Sequence, residues 1–117
     1  MTSTLLILND PPYGTERSYN ALRLARSLLE KGATGVRVFL MGDAAGCAHG
    51  GQKVPQGYYN IADMLGGVIR RGGEVKVCGT CMDARGIGAE ALVKGAHRGS
   101  MDELSDWTAD ADKVVVF

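Results

Sequence analysis

The chain lacks a surplus of charge of either sign: thirteen Lys and Arg residues cancel thirteen Asp and Glu residues. These charges are interspersed, with no basic stripe, and gripping a phosphate backbone needs clustered Lys and Arg. Direct binding to nucleic acid is therefore not expected. No apolar run approaches the ~20 residues that a membrane helix needs, so no membrane partner is expected either. The opening MTSTLLILND has no basic n-region, and its short apolar run meets an acid and two prolines. It reads as a strand, not as a secretory leader, which points to the cytoplasm. Cysteine is scarce, with three in all. An odd count in that compartment does not describe a disulfide framework and leaves reactive, metal-binding or packing uses open.

Cofactor and catalytic motifs are missing as well. The Gly-rich segment GCAHGGQKVPQG fits neither G-x-x-x-x-G-K-[ST] nor G-x-G-x-x-G, and no cofactor is expected. No Ser-His-Asp or paired-carboxylate arrangement can be argued. Asp10, before Pro11-Pro12, reads first as turn chemistry, although the strand-to-helix junction around it is a possible anion site.

What is present is a regular alternation. At 117 residues and 45% apolar composition the chain is expected to form one domain, residues 1–117, with a real core. TLLILN (4–9) is an unbroken apolar run, as in a strand covered on both faces. Thr15 is the expected N-cap of a helix whose wide apolar face carries Tyr19, Leu22, Leu24, Ala25, Leu28 and Leu29, with Gly32 as its C-cap. VRVFLMG (36–42) reads as a second strand, followed by a long Gly-rich loop over 43–59. Asn60 is expected to cap a second helix, IADMLGGVIRRG. EVKVC (74–78) is a third strand, and 87–96 reads as a short helix or turn. Ser100 is expected to cap MDELSDWTA, and KVVVF (113–117) is the last strand. Strands alternating with helices imply βαβ units. The fold class is therefore α/β: a three-layer α/β/α sandwich on a mainly parallel sheet of four or five strands. In such sheets ligands gather beyond the carboxyl ends of the strands, which is where residues 10–15, 41–57 and 78–86 leave.

The stretch VKVCGTCMDARG (75–86) puts two thiols at that edge. A thiol attacks as thiolate, which nearby positive charge or a helix N-terminus favours. Arg85 is close in sequence, and Cys78 and Cys81 have a recurring redox spacing. Gly79, Gly86 and Gly88 argue against one continuous helix through the pair. Three readings stay open at this point: sulfur chemistry, small buried hydrophobes, and a zinc site that draws Cys47 and His49 onto Cys78 and Cys81. For His49 and His97, solvated or capping roles are the default.

The stretches NDPPYGTERSYNALRLA, FLMGDA, GQKVPQGYYNI, CGTCMDARGI and WTADADKVVVF together resemble the DsrE/DsrF-like family, and within it the YchN-like subgroup. The resemblance spans essentially the whole chain. It implies an α/β/α sandwich that assembles as a homo-oligomer, a trimer or hexamer. Relatives of the DsrE-like and TusD-like kinds carry a persulfide on one cysteine and pass it on, so sulfur donor and acceptor proteins are implied partners. Measured back from Arg85-Gly86-Ile87, the matching carrier is Cys78. Cys81 falls where the TusD-like pattern has a small residue, whereas the YchN-like subgroup has a second cysteine. Cys47 and His49 match nothing in the family pattern, and no metal site is implied.

The reading that results is a persulfide carrier on Cys78, with Cys81 as resolving thiol and Arg85 favouring the anion. Asp83 would order the turn. Asp10, Tyr13 and Gly14, with residues 47–57 and a neighbouring subunit, would shape the pocket. Its competitor is a non-catalytic oligomeric ligand-binding or assembly module whose cysteines are buried and inert.

Overall fold

Five parallel strands lie in the order β4-β3-β2-β1-β5 in the computed structural model, which describes residues 3–117. In chain order these are β1 (Ser3–Leu8), α1 (Arg17–Glu30), β2 (Gly35–Leu40), α2 (Ile61–Arg70) and β3 (Glu74–Cys78). Then follow α3 (Gly79–Ala84), β4 (Ala96–Gly99), α4 (Met101–Asp110) and β5 (Lys113–Val116). From β1 to β4 the chain always steps in one direction across the sheet. Right-handed crossovers then put α1, α2 and α3 on one face. The last step returns past β1 to the far edge, so α4 alone crosses the other face.

The alternation of strand side chains divides the core accordingly. Leu6, Leu8, Val36, Val38, Leu40, Val75 and Val77 join the cluster beneath α1 and α2. Leu5 and Phe39 join Leu104 and Trp107 of α4, with Ile7, Met41 and Cys78 packed against them. This is why β1 reads as a continuous apolar run: both of its faces are covered. Leu5, Leu6 and Leu8 are fully buried, each worth about 1.5–3 kcal/mol. Phe39 meets Trp107 edge-on at 6.0 Å, a geometry that adds to burial alone. Gly99 makes room for it, since a Cβ there would lie 3.2 Å from the Phe39 ring.

The caps show where local chemistry sets the boundaries. Asn60 Oδ1 accepts from the Asp63 amide at 3.0 Å and Ser100 Oγ from the Glu103 amide at 3.2 Å, so both expected N-caps are present. Gly32, at φ +94°, closes α1 with amide bonds from residues 32 and 33 back to Leu29 and Leu28. Thr15 does not cap. Its hydroxyl donates to Asp10 Oδ2 at 2.8 Å, and α1 starts after Glu16 without a side-chain cap.

Two elements differ from expectation. Gly42–Ala48 is a 3₁₀ helix with Ala44, Ala45, Cys47 and Ala48 buried, so the loop is shorter than its composition suggests. Residues 96–99 form the edge strand β4, although nothing in AHRG is β-branched. Short edge strands need little intrinsic preference when a neighbour supplies the ladder.

Candidate functional site

Cys78 is the last residue of β3 and the N-cap of α3. Strand alternation turns its side chain to the α4 face, beside Phe39 and Met41. Cys81, three residues on, packs toward the opposite cluster under α1 and α2. The two sulfurs meet across the first turn of α3 as a disulfide, with their Cα atoms 5.2 Å apart. The Cys81 amide lies 3.3 Å from Cys78 Sγ, and the Gly42 amide donates to Cys81 Sγ at 3.2 Å. A short helix does therefore begin between the cysteines, and Gly86, at φ +66°, marks its end. Both cysteines are half-buried.

A recess of about 260 Å³ opens beside Cys78, lined by Phe39, Met41, Cys78, Thr80, Arg98 and Met101 among others. It is mostly apolar, with one guanidinium at its wall. Gly79 lets that guanidinium approach, because a Cβ there would sit 2.7 Å from Arg98 Nε. Asp83 grips Arg98 with both oxygens, at 2.8 and 2.9 Å. Those hydrogen bonds hold the Asp83 carboxyl below its usual range and push Arg98 further up.

Arg85 stands elsewhere. It donates to Asp43 at 3.1 and 2.8 Å and to the Cys81 carbonyl at 3.1 Å. It thus serves the Cys81 side of the pair, while Arg98 lines the recess of Cys78. Each guanidinium is balanced by a carboxylate. The donors aimed at the Cys78 sulfur are the Thr80 hydroxyl, at 3.4 Å, and the Cys81 amide in the first turn of α3, where helix dipoles favour negative charge.

Arg98 is the residue that sequence reasoning missed. Its signal was in GAHRGS: a strand there would pair with β3 and set Gly99 opposite Cys78, as it does.

Asp10, Tyr13 and Gly14 do not line the Cys78 recess. Asp10 accepts from Thr15 and lies 3.7 Å from Arg17, and its carbonyl accepts from Ser18 Oγ at 2.8 Å. Tyr13 donates to Gln52 Oε1 at 2.8 Å and accepts from the Ile61 amide. Gly14 supplies a turn at φ +105°. They order the neighbouring loop around Gln52, whose side-chain amide donates to the carbonyls of Gly46 and His49 at 3.0 and 2.9 Å.

The structure does not gather Cys47 and His49 with Cys78 and Cys81 into one ligand group. Cys47 is buried with its thiol toward the Asp10 carbonyl, and His49 sets Nδ1 on the Gly50 carbonyl. No group of three or more His, Cys, Asp or Glu among the described residues is placed to hold a metal ion.

The DsrE/DsrF-like family model matches residues 2–117. The chain belongs to the DsrE/DsrF-like family. It is 42% identical over 118 residues to protein YchN of Escherichia coli strain K12, with all of both chains covered. It is 36% identical over 112 residues to an uncharacterised protein of Methanopyrus kandleri, covering 96% of this chain and 91% of the other. The crystal structure of the Escherichia coli ychN protein matches the whole fold with a TM-score of 0.94 and 42% identity, again over all of both chains. This DsrE/DsrF-like chain contains no helix among its described residues long and apolar enough to cross a membrane.

Proposed function

We propose that this chain is a sulfur-relay protein that receives and passes on a persulfide through Cys78, with Cys81 as the resolving thiol. The observation that carries the reading is the placement of Cys78. Its sulfur sits at a helix N-terminus, beside an open recess, within bonding reach of a second cysteine. Membership of a family associated with sulfur relay supports it.

In the first step the Cys78 thiolate attacks the outer sulfur of a donor persulfide. The donor S–S bond breaks, the donor leaves as thiolate, and Cys78–S–SH forms. In delivery, an acceptor thiolate takes that outer sulfur and Cys78 returns to thiolate. In resolution, the Cys81 thiolate attacks the inner sulfur, closing Cys78–Cys81 and expelling hydrosulfide. The two thiols are then oxidised by two electrons and the outer sulfur is reduced, so a dithiol reductant must reopen the pair. Cys81 N–H stabilises charge on Cys78 during attack, and the Gly42 amide does the same for Cys81.

We further propose that copies of this chain cover the α4 face. The β5 register places Val114 beside Leu5 and Val116 beside Ile7 on that face, yet Val114 is 42% exposed, Val116 63% and Met101 62%. One helix across five strands leaves Val114 and Val116 of the edge strand open, and exposed apolar surface on a sheet face favours an interaction surface. Met101 borders the Cys78 recess, so a neighbouring copy would complete its wall. Sedimentation of a Val116→Asp variant as a smaller species than the parent supports this; identical assemblies contradict it.

The sulfur assignment is tested by loading the reduced protein with a persulfide donor and mapping the added sulfur by peptide mass. The expected carrier is the Cys78 peptide. A Cys78→Ser variant that takes up the same sulfur at full yield rules the mechanism out. The competing binding-module reading requires thiols that stay unreactive until the protein is denatured.

A further inference from the structure

On the other side of the sheet, α1 and α2 pack together and leave a groove of about 520 Å³ that the sulfur chemistry does not use. Its walls carry Arg23, Arg26, Arg70 and Arg71, half of the eight arginines in the chain. The other four, Arg17, Arg37, Arg85 and Arg98, each have a carboxylate partner within 4.0 Å. Of the groove arginines only Arg26 has one, Glu30. Arg23, Arg70 and Arg71 have none among the described residues. In a chain whose charges cancel overall, uncompensated guanidinium is thus concentrated in one place. Arg71 spends one donor on the Gly67 carbonyl at 3.1 Å, which leaves most of its fork free.

The groove also has an aromatic end, where the Tyr19 and Tyr59 rings are tilted by 35° and the Arg23 guanidinium lies over the Tyr19 ring at 5.5 Å. Tyr19 and Tyr59 lie 4.3 Å apart, centroid to centroid, and Leu22 and Met64 contribute apolar wall. Asp63, in the first turn of α2, is the acidic member of the lining. Gly66 and Gly67 are poor helix residues. Side chains there would crowd the arginines: a Cβ on Gly66 would lie 3.0 Å from Arg70 Nη1 and one on Gly67 3.4 Å from Arg71 Nη1. Because α1 and α2 both cross the same face between parallel strands, their N-termini point the same way. The tyrosines and Asp63 therefore occupy one end, and Arg26, Arg70 and Arg71 the other. Tyr19 and Arg26 are about 10 Å apart along α1 at the rise of a helix.

We infer that this groove binds a nucleoside diphosphate. The tyrosine pair receives the base, Asp63 accepts from sugar hydroxyls, and the arginines take the phosphates, for which planar guanidinium forks are suited. The volume lies within the range of small-ligand sites. Aromatic ring, hydroxyl acceptor and clustered guanidinium in that order match one ligand class better than free phosphate, which has no use for the tyrosines.

The test is calorimetric titration of the intact protein with ADP, pyrophosphate and adenosine, with backbone NMR shifts to locate the site. ADP is expected to bind once per chain, at least tenfold tighter than pyrophosphate or adenosine, shifting amides of α1 and α2. Arg70→Gln with Arg23→Gln is expected to weaken ADP at least tenfold, as is Tyr59→Leu, and circular dichroism identifies any variant that fails to fold. Tyr19→Leu supplies the second aromatic variant should Tyr59→Leu prove unfolded. No shift in α1 and α2 at millimolar ADP overturns the proposal. So does unchanged affinity in the folded arginine variants, or pyrophosphate binding as tightly as ADP.

Discussion

Cys47 offers a test of the packing around the candidate site with a calculable sign and size. Burial pushes its thiol up from an ordinary 9.0 to about 11; the Asp10 charge adds to this, while the Ser18 hydroxyl opposes it. The folded state therefore holds the Cys47 proton in a range where the unfolded chain releases it. Ionisation then favours unfolding, and stability falls as pH rises from about 9 toward 11. A shift of two units corresponds to about 2.7 kcal/mol once both states have titrated, at ~1.4 kcal/mol per unit. By pH 10.5 the loss amounts to roughly 2 kcal/mol. The assay is urea unfolding at pH 8 and pH 10.5, with Cys78 and Cys81 kept oxidised, for the parent and Cys47→Ala. The rest of the chain is the same in both proteins, so its own pH response cancels in the comparison. The parent is expected to lose about 2 kcal/mol more than the variant across that interval. Equal losses would mean that the thiol is not sealed beneath the 3₁₀ helix, and the account of that segment would fail.

Other consequences follow from single contacts. Asp83→Asn removes the carboxylate that balances Arg98 and should speed alkylation of reduced Cys78 up to about fivefold at low salt, whereas Arg98→Gln should slow it to a similar degree; equal rates in all three proteins would separate Arg98 from the thiol. Phe39→Ala empties the centre of the α4 layer and should cost about 3–5 kcal/mol by denaturant unfolding. Ser100→Ala should destabilise by about 1 kcal/mol through loss of its cap on α4, whereas Thr15→Ala, whose hydroxyl meets Asp10 and no helix amide, should cost less; the reverse order would contradict the capping assignment.

Most of the fold was legible because strand burial and helix periodicity agree along the chain. The run at β1, the helix faces of α1 and α2, and the Asn60 and Ser100 caps each carry local signals. β4 carried none: AHRG is short, polar and without β-branching, and it becomes a strand because β3 offers its edge. The 3₁₀ helix at Gly42–Ala48 was hidden for a related reason. Its alanines bury well but have no period in so short a segment, and Gly42, Gly46 and Gly50 read as loop. The placement of Cys78 at the sheet edge followed from topology. The arginine beside it did not, because nearness in sequence favoured Arg85. Spatial neighbours in a parallel sheet come from the adjacent strand, and β4 was the strand left unseen. The loop around Gln52 was likewise legible as ordered only through its hydrogen bonds, which join residues far apart in sequence.

The most direct measurement is a brief pulse of limiting iodoacetamide on the fully reduced native protein, followed by peptide mapping. The label is expected first on the Cys78-containing peptide at Cys78, with Cys81 slower and Cys47 untouched until denaturant is added. Label on Cys81 or Cys47 ahead of Cys78, or no label at all in the native state, would contradict it.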